Sequence, residues 1–179
     1  MKYTFPLLLL VFSLSVSSLK AQEREADEYA SYVSSLDGTL ETLYAVISGE
    51  KGEARAWDLF RYLFHADAKL IPTRKDTEGR DSAKYMSVEE YIESSGRYLV
   101  ENGFFEKEIH RTTESFGPIT HVFSTYESYH SRKDDEPFAR GINSIQLLND
   151  GERWWVVNIY WSAESPSLSI PKEYLPGNE

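Results

Sequence analysis

The hydrophobic period changes once along this chain, at Gly103, and that change limits the possible folds more than any other feature. Before it, apolar residues recur three and four apart. Tyr29, Tyr32, Val33, Leu36, Leu40, Leu43, Tyr44 and Ile47 form one helical stripe, and Trp57, Phe60, Leu63 and Phe64 form a second. After it, Thr-, Tyr-, Phe- and Val-rich runs are broken by Gly117-Pro118 and by Asn149-Asp150-Gly151, the pattern of consecutive antiparallel strands.

Within the first half, Asp37-Gly38 interrupts the first stripe, so the first helix is expected from Thr39 to Ser48. The second is expected over residues 54–64. A short strand, residues 68–71, should end at Pro72, and the polar residues 73–86 read as a surface loop. Ser87 and Glu90 have the spacing of a capping box, with Met86 and Tyr91 at the staple positions, so a third helix should start there and stop at Gly103.

In the second half, four strands are expected over residues 104–116, 119–131, 141–148 and 153–162. A three-residue turn at Asn149-Asp150-Gly151 would put Ile145, Leu147, Trp155, Val157, Ile159 and Trp161 on one face. Helix, helix, strand, helix and four antiparallel strands define an α+β domain, three N-terminal helices on a curved antiparallel sheet, with a pocket between the layers.

The N-terminus bears on compartment. Lys2 precedes an apolar run from Phe5 to Leu19, and Lys20-Ala21-Gln22 breaks it, the three parts of a secretory signal peptide. The expected organisation is a signal peptide over residues 1–21, a domain over 22–164 and an extended tail over 165–179 with Pro166, Pro171 and Pro176. Cleavage after Ala21 would make the product periplasmic or secreted. The absence of cysteine excludes a lipoprotein anchor and disulfides.

Loss of residues 1–21 removes two lysines and no acid, leaving 17 basic against 29 acidic residues, a formal charge of −12. Such a surface repels nucleic acid and an anionic membrane, so neither is expected as a partner once the leader is cut.

Several segments carry a resemblance. Asp58 to Pro72 (DLFRYLFHADAKLIP), Ser87 to Tyr91 (SVEEY), His121 to Glu127 (HVFSTYE) and Gly151 to Trp161 (GERWWVVNIYW) are similar, in order and spacing, to the nuclear transport factor 2-like, or SnoaL-like, superfamily. The resemblance implies a cone-shaped domain with a ligand pocket, and it does not fix an activity, because the fold hosts isomerases, dehydratases and transport adaptors. The ketosteroid isomerase branch places a carboxylate base at the end of the first strand, where this chain has Ile71 and Pro72. Its second acid falls where this chain has Asn143, Ser144 or Ile145, so that chemistry is not expected.

The scytalone dehydratase branch uses histidines on adjacent strands, and this chain offers His110 and His121 as candidate catalytic residues. With Gly117-Pro118 as a two-residue turn, His110 lies opposite Thr125 and His121 opposite Glu114, on the face that carries Phe123. Tyr44, Phe123, Asn143, Trp155 and Trp161 are the expected ligand-binding residues, with Arg111 and Tyr126 also within reach of the cavity. No metal spacing, phosphate loop or dinucleotide fingerprint occurs, so no metal and no cofactor are expected. The expectation is an exported domain that binds a small apolar molecule, forming a homodimer through the exposed sheet face. The alternative is a lyase or isomerase on a small apolar or polycyclic substrate.

The export reading has a direct check. N-terminal sequencing of the protein produced in a bacterium should find a mature start near Gln22, and an intact Met1 on a cytoplasmic product would contradict it.

Overall fold

The structure is a computed structural model, and it describes residues 28–177. The leader read from the sequence lies outside the described residues. A 3-10 turn, Ala30–Val33, leads into α1, Leu36–Ile47. This helix starts earlier than Gly38 suggests. Ser35 accepts a hydrogen bond from the Gly38 N–H, so Asp37 and Gly38 fall in the first turn, where backbone N–H groups need such a cap.

The second helix, α2, is only Trp57–Leu63, and it passes directly into β1, Phe64–Lys75. Strand β1 is therefore longer than its apolar centre. It runs through Pro72, whose carbonyl still accepts from the Lys84 N–H, and it continues to a short partner, β2, Asp81–Ala83, inside the segment read as loop.

The third helix, α3, comprises Val88–Tyr91, a π-helical turn Ile92–Gly96 and Arg97–Asn102. Ser87 caps it as expected, with both halves of the capping box made: Glu90 N to Ser87 Oγ at 3.2 Å and Ser87 N to Glu90 Oε2 at 2.7 Å. It ends at Gly103, φ 72°, where a Cβ would lie 2.4 Å from the His130 carbonyl, so only glycine fits.

Strands β3 (Phe105–Phe116), β4 (Ile119–Tyr129), β5 (Ala139–Asn149) and β6 (Trp154–Ala163) form the meander. The sheet order is β2-β1-β6-β5-β4-β3. All pairs are antiparallel except β1 with β6, which run parallel, so the six-stranded sheet is mixed rather than wholly antiparallel.

The final hairpin departs from the expected register. Asn149 pairs with Trp154, which makes the connection four residues long, and a bulge follows in β6, because Gln146 pairs with Asn158 while Leu147 pairs with Val156. Val156, Ile159 and Trp161 consequently face the helices, while Trp155 and Val157 do not share their face. The Trp155 indole N–H donates to Asp150 at 2.7 Å, and Arg153 stacks on its ring at 3.6 Å. The core between the layers joins Val33, Leu40, Leu43, Phe60, Leu63, Phe64, Leu70 and Leu99 to Val122, Ile145, Leu147, Val156 and Ile159.

One buried cation ties the helix ends together. Arg55, 6% exposed, donates from Nε to the Ile47 carbonyl at 2.9 Å. Its terminal nitrogen Nη2 donates to Gly49 O at 2.7 Å and Leu99 O at 2.8 Å. Burial lowers its pKa from the ordinary value. Beyond β6 the tail, to residue 177, turns back over the outer sheet face: Thr125 donates to the Tyr174 carbonyl at 2.7 Å, and Tyr174 packs edge-on to Phe123 at 5.0 Å.

Replacing Arg55 by Ala leaves the buried Ile47 and Leu99 carbonyls without this donor, each costing ~1–3 kcal/mol, while the Gly49 carbonyl keeps the Phe104 N–H. Urea unfolding should show Arg55→Ala less stable by about 3 kcal/mol or more; a loss below about 1 kcal/mol would remove Arg55 from this role.

Candidate functional site

The inner face of the sheet is not uniformly apolar. Strand β4 turns Val122, Ser124, Tyr126 and Ser128 toward the helices, and β5 turns Asn143 and Ile145 the same way. Close to α1, β3 brings Glu106 and Glu108 in; a bulge between Glu108 and His110 then shifts the alternation, so that Arg111 points inward and His110 outward.

These side chains enclose one end of a cavity of about 220 Å³ between helices and sheet. Its walls include Leu43, Tyr44, Phe60, Tyr91, Tyr98, Phe104, Ile159 and Trp161, with Glu106 and Asn143 at the polar end. Tyr126 closes over Gly141, where a Cβ would lie 2.4 Å from its hydroxyl, so β5 needs glycine there.

The polar groups form one chain of hydrogen bonds. The Arg111 Nε donates to Glu108 Oε1 at 2.7 Å, and Arg111 also bonds Asp37 at 2.9 Å. Ser124 donates to Glu108 Oε2. Having spent its proton there, Ser124 accepts from Tyr44 at 2.7 Å, and Tyr44 in turn accepts from the Asn143 amide at 3.1 Å. The other Asn143 N–H reaches Glu106 Oε1 at 3.3 Å, and Ser128 donates to Glu106 Oε2 at 3.0 Å. The donor directions from Ser124 through Tyr44 to Asn143 follow from Ser124 donating to Glu108 at the far end.

Glu106 differs from Glu108 in having no cationic partner among the described residues. It keeps some exposure through the hollows it lines, but its carboxyl group is closely packed. Burial pushes that carboxyl up to about 7, against the hydrogen bonds of Ser128 and Asn143, which lower it. Burial, with Glu106 second, also drives the phenols of Tyr44, Tyr91 and Tyr126 above their ordinary range.

The structure divides the residues singled out in the sequence. Tyr44, Asn143 and Trp161 line the inner cavity, and Tyr126 lies beside it. Arg111 is engaged by Glu108 and Asp37. His110 and His121 hold the predicted register, opposite Thr125 and Glu114, but they lie on the outer face. Thr125 and His121 are four residue steps apart along β4, so the two histidines are roughly 13 Å apart along the strands. His121 bonds Ser144 at 2.9 Å, and its nearest carboxylate, Glu114, lies 3.9 Å away and is exposed.

Phe123 is on that outer face too. It lines a hollow of about 470 Å³ under the tail with Ile142, Ser144, Tyr160, Leu168 and Ile170. That hollow is larger than the inner cavity but brings no buried ionisable group to a wall. Trp155 lines neither space, because its hairpin register turns it toward Asp150.

Sequence reading missed Glu106. Phe104-Phe105-Glu106-Lys107-Glu108 reads as a charged strand start facing water, and the bulge that reverses its faces leaves no mark. The signal available was on β4, where the polar residues Ser124, Tyr126 and Ser128 alternate with Phe123, Thr125 and Glu127 and need a polar partner across the layer.

No protein-family model matches the chain, and comparison with curated proteins found no match. Solved structures do match. A nuclear transport factor 2-like superfamily protein from Salmonella enterica superposes with a TM-score of 0.52 at 12% identity, covering 75% of this chain and 91% of that one. A protein of that type and of unknown function from Silicibacter pomeroyi gives 0.50 at 15% identity, over 72% and 92%. A Xanthomonas campestris protein assigned as a calcium/calmodulin-dependent protein kinase II association domain gives 0.52 at 15% identity, over 74% and 86%. The curved sheet backed by helices that this chain shares with these proteins is the nuclear transport factor 2-like fold.

The unpartnered carboxyl has a measurable signature. An acid whose folded pKa of about 7 exceeds the ordinary 4.5 holds its proton more tightly when folded, so stability is full below 4.5 and falls as pH rises to about 7. The displacement corresponds to about 3 kcal/mol at most. Glu106→Gln should remove that part of the slope and be the more stable protein above pH 7. Parallel stability–pH curves for the two proteins would show Glu106 ionising as an ordinary surface acid.

Proposed function

We propose that the inner cavity is a small-molecule site of an exported domain, with Glu106 as its orienting polar group. The observation that carries this reading is a carboxyl without a cation set in a wall of aromatic and aliphatic side chains. Binding pockets combine such apolar walls with a few convergent polar groups, and burying an acid is a cost that packing alone does not require. Export rests on the leader pattern of residues 1–21. Assembly as a homodimer is part of the same reading, supported by the association-domain assignment of two similar structures. A partner copy approaching the outer sheet face would meet the chain's own tail at Phe123 and Thr125.

A second reading, acid–base catalysis of the lyase or isomerase kind, draws on one observation: a carboxyl held near 7 both gives and takes a proton at neutral pH. The proton would move through Glu106 rather than His110 or His121, which face away from the cavity.

A thermal-shift screen of small aromatic compounds, neutral and charged, tests the site. Some members should raise Tm, and Trp161→Ala should weaken them while destabilising the protein by less than the ~3–5 kcal/mol of a core tryptophan. A full panel without effect at millimolar concentration would rule the cavity out as a site. Turnover that follows an ionisation near pH 7 and vanishes in Glu106→Gln would mark the catalytic reading as the correct one.

A further inference from the structure

We propose that the ligand of the inner cavity is a small organic cation, an aromatic or branched aliphatic amine or a quaternary ammonium compound, whose positive centre sits beside Glu106 among the aromatic rings. This inference rests on the cavity being a binding site.

The charge around the cavity points to that class. Of the residues that line it, Glu106 alone carries a formal charge. On the cavity side the other ionisable groups around Glu106 are the phenols of Tyr44 on α1, Tyr91 and Tyr98 on α3 and Tyr126 on β4, with Glu108 on its own strand. None of these supplies a positive charge, and on the outer side Glu106 borders a surface groove with Lys107, Tyr129, Arg132, Asp134 and Asp135. The cations nearest in the fold lie outside the cavity lining. Arg111 is held by Glu108 and Asp37, and Lys107 by Glu127 at 3.2 Å. Arg132, which shares a surface groove with Glu106, lies over the Phe105 ring at 5.1 Å. An anionic guest would meet Glu106 with no compensating donor of positive charge, and a purely neutral one would leave the carboxyl uncompensated.

The walls agree with the charge. Phe60, Tyr91, Tyr98 and Trp161 line the space, with Phe60 stacked on Tyr91 at 5.5 Å and Tyr91 edge-on to Trp161 at 6.3 Å. Aromatic rings attract a desolvated cation through their electron-rich faces, and recognition of ammonium groups by such cages is a known use of that attraction. A guest cation would also supply the partner that Glu106 lacks, favouring its ionised form. A volume of about 220 Å³ limits the guest to about one ring with a short substituent.

Phenyltrimethylammonium and its uncharged isostere tert-butylbenzene separate the alternatives, because they share shape and the cation does not titrate. Binding is read by tryptophan fluorescence and calorimetry on the folded wild type and on Glu106→Gln. The wild type should prefer the cation by about tenfold or more at pH 8, and Glu106→Gln should lose that preference while still binding tert-butylbenzene. In the wild type alone, affinity for the cation should fall as pH drops through about 7, where Glu106 takes up its proton, which keeps the test sound if the variant folds poorly. Equal or tighter binding of tert-butylbenzene by the wild type would overturn the cation assignment while leaving the cavity a binding site. Failure of both probes to bind would overturn the site and the assignment together.

Discussion

Arg55 ties together the ends of the two helices that roof the cavity. Its guanidinium holds the carbonyls of Ile47, Gly49 and Leu99, which end α1, begin the following loop and lie in the last part of α3. Gly49 also exchanges both backbone hydrogen bonds with Phe104, so the same knot reaches the start of β3. Helix layers usually settle onto a sheet until apolar side chains touch. Here polar bonds anchor the roof at one end, and the cavity lies beneath it. The π-helical turn in α3 belongs to the same arrangement, since Gly96 lets that helix approach Trp57, where a Cβ would lie 2.9 Å from the ring.

The inner polar chain works through proton direction rather than through strength. Arg111 and Asp37 lie toward the outer end, and from there each hydroxyl has a single way to point until the Asn143 amide reaches Glu106. Asn143 has two N–H groups, and Tyr44 and Glu106 use both, so its orientation is determined. Such a chain specifies one arrangement of the core, while Glu106 at its inner end is left with two neutral donors and no charge to match its own. The fold thus keeps a group that is unfavourable for stability where a guest could reach it.

Much of the fold was legible because local patterns governed it. The Ser87–Glu90 box, the Gly103 stop and the Gly117-Pro118 turn each placed an element boundary within a residue or two, and the turn put His110 and His121 in the correct register. Three kinds of feature were not legible. Strand β2 and the outer part of β1 contain few apolar residues, because they lie at the sheet edge. The parallel pairing of β1 with β6 depends on contacts far apart in sequence. The bulges near Ile109 and Val157 each insert a residue without a glycine or proline to announce it, and each reverses which side chains face inward. Those two bulges account for the largest displacement in the site, since they sent Trp155 outward and brought Glu106 in.

The parallel seam between β1 and β6 also sets the order in which the molecule assembles. Strands β3 to β6 follow one another through short connections and can zip as hairpins, whereas Phe64 must wait for Val156. Loop closure over that separation is slow, and until it happens β1 and β6 each present an open edge to other chains. The topology thus predicts folding from the C-terminal meander toward the first strand, with completion of the whole domain turning on the last strand of the meander.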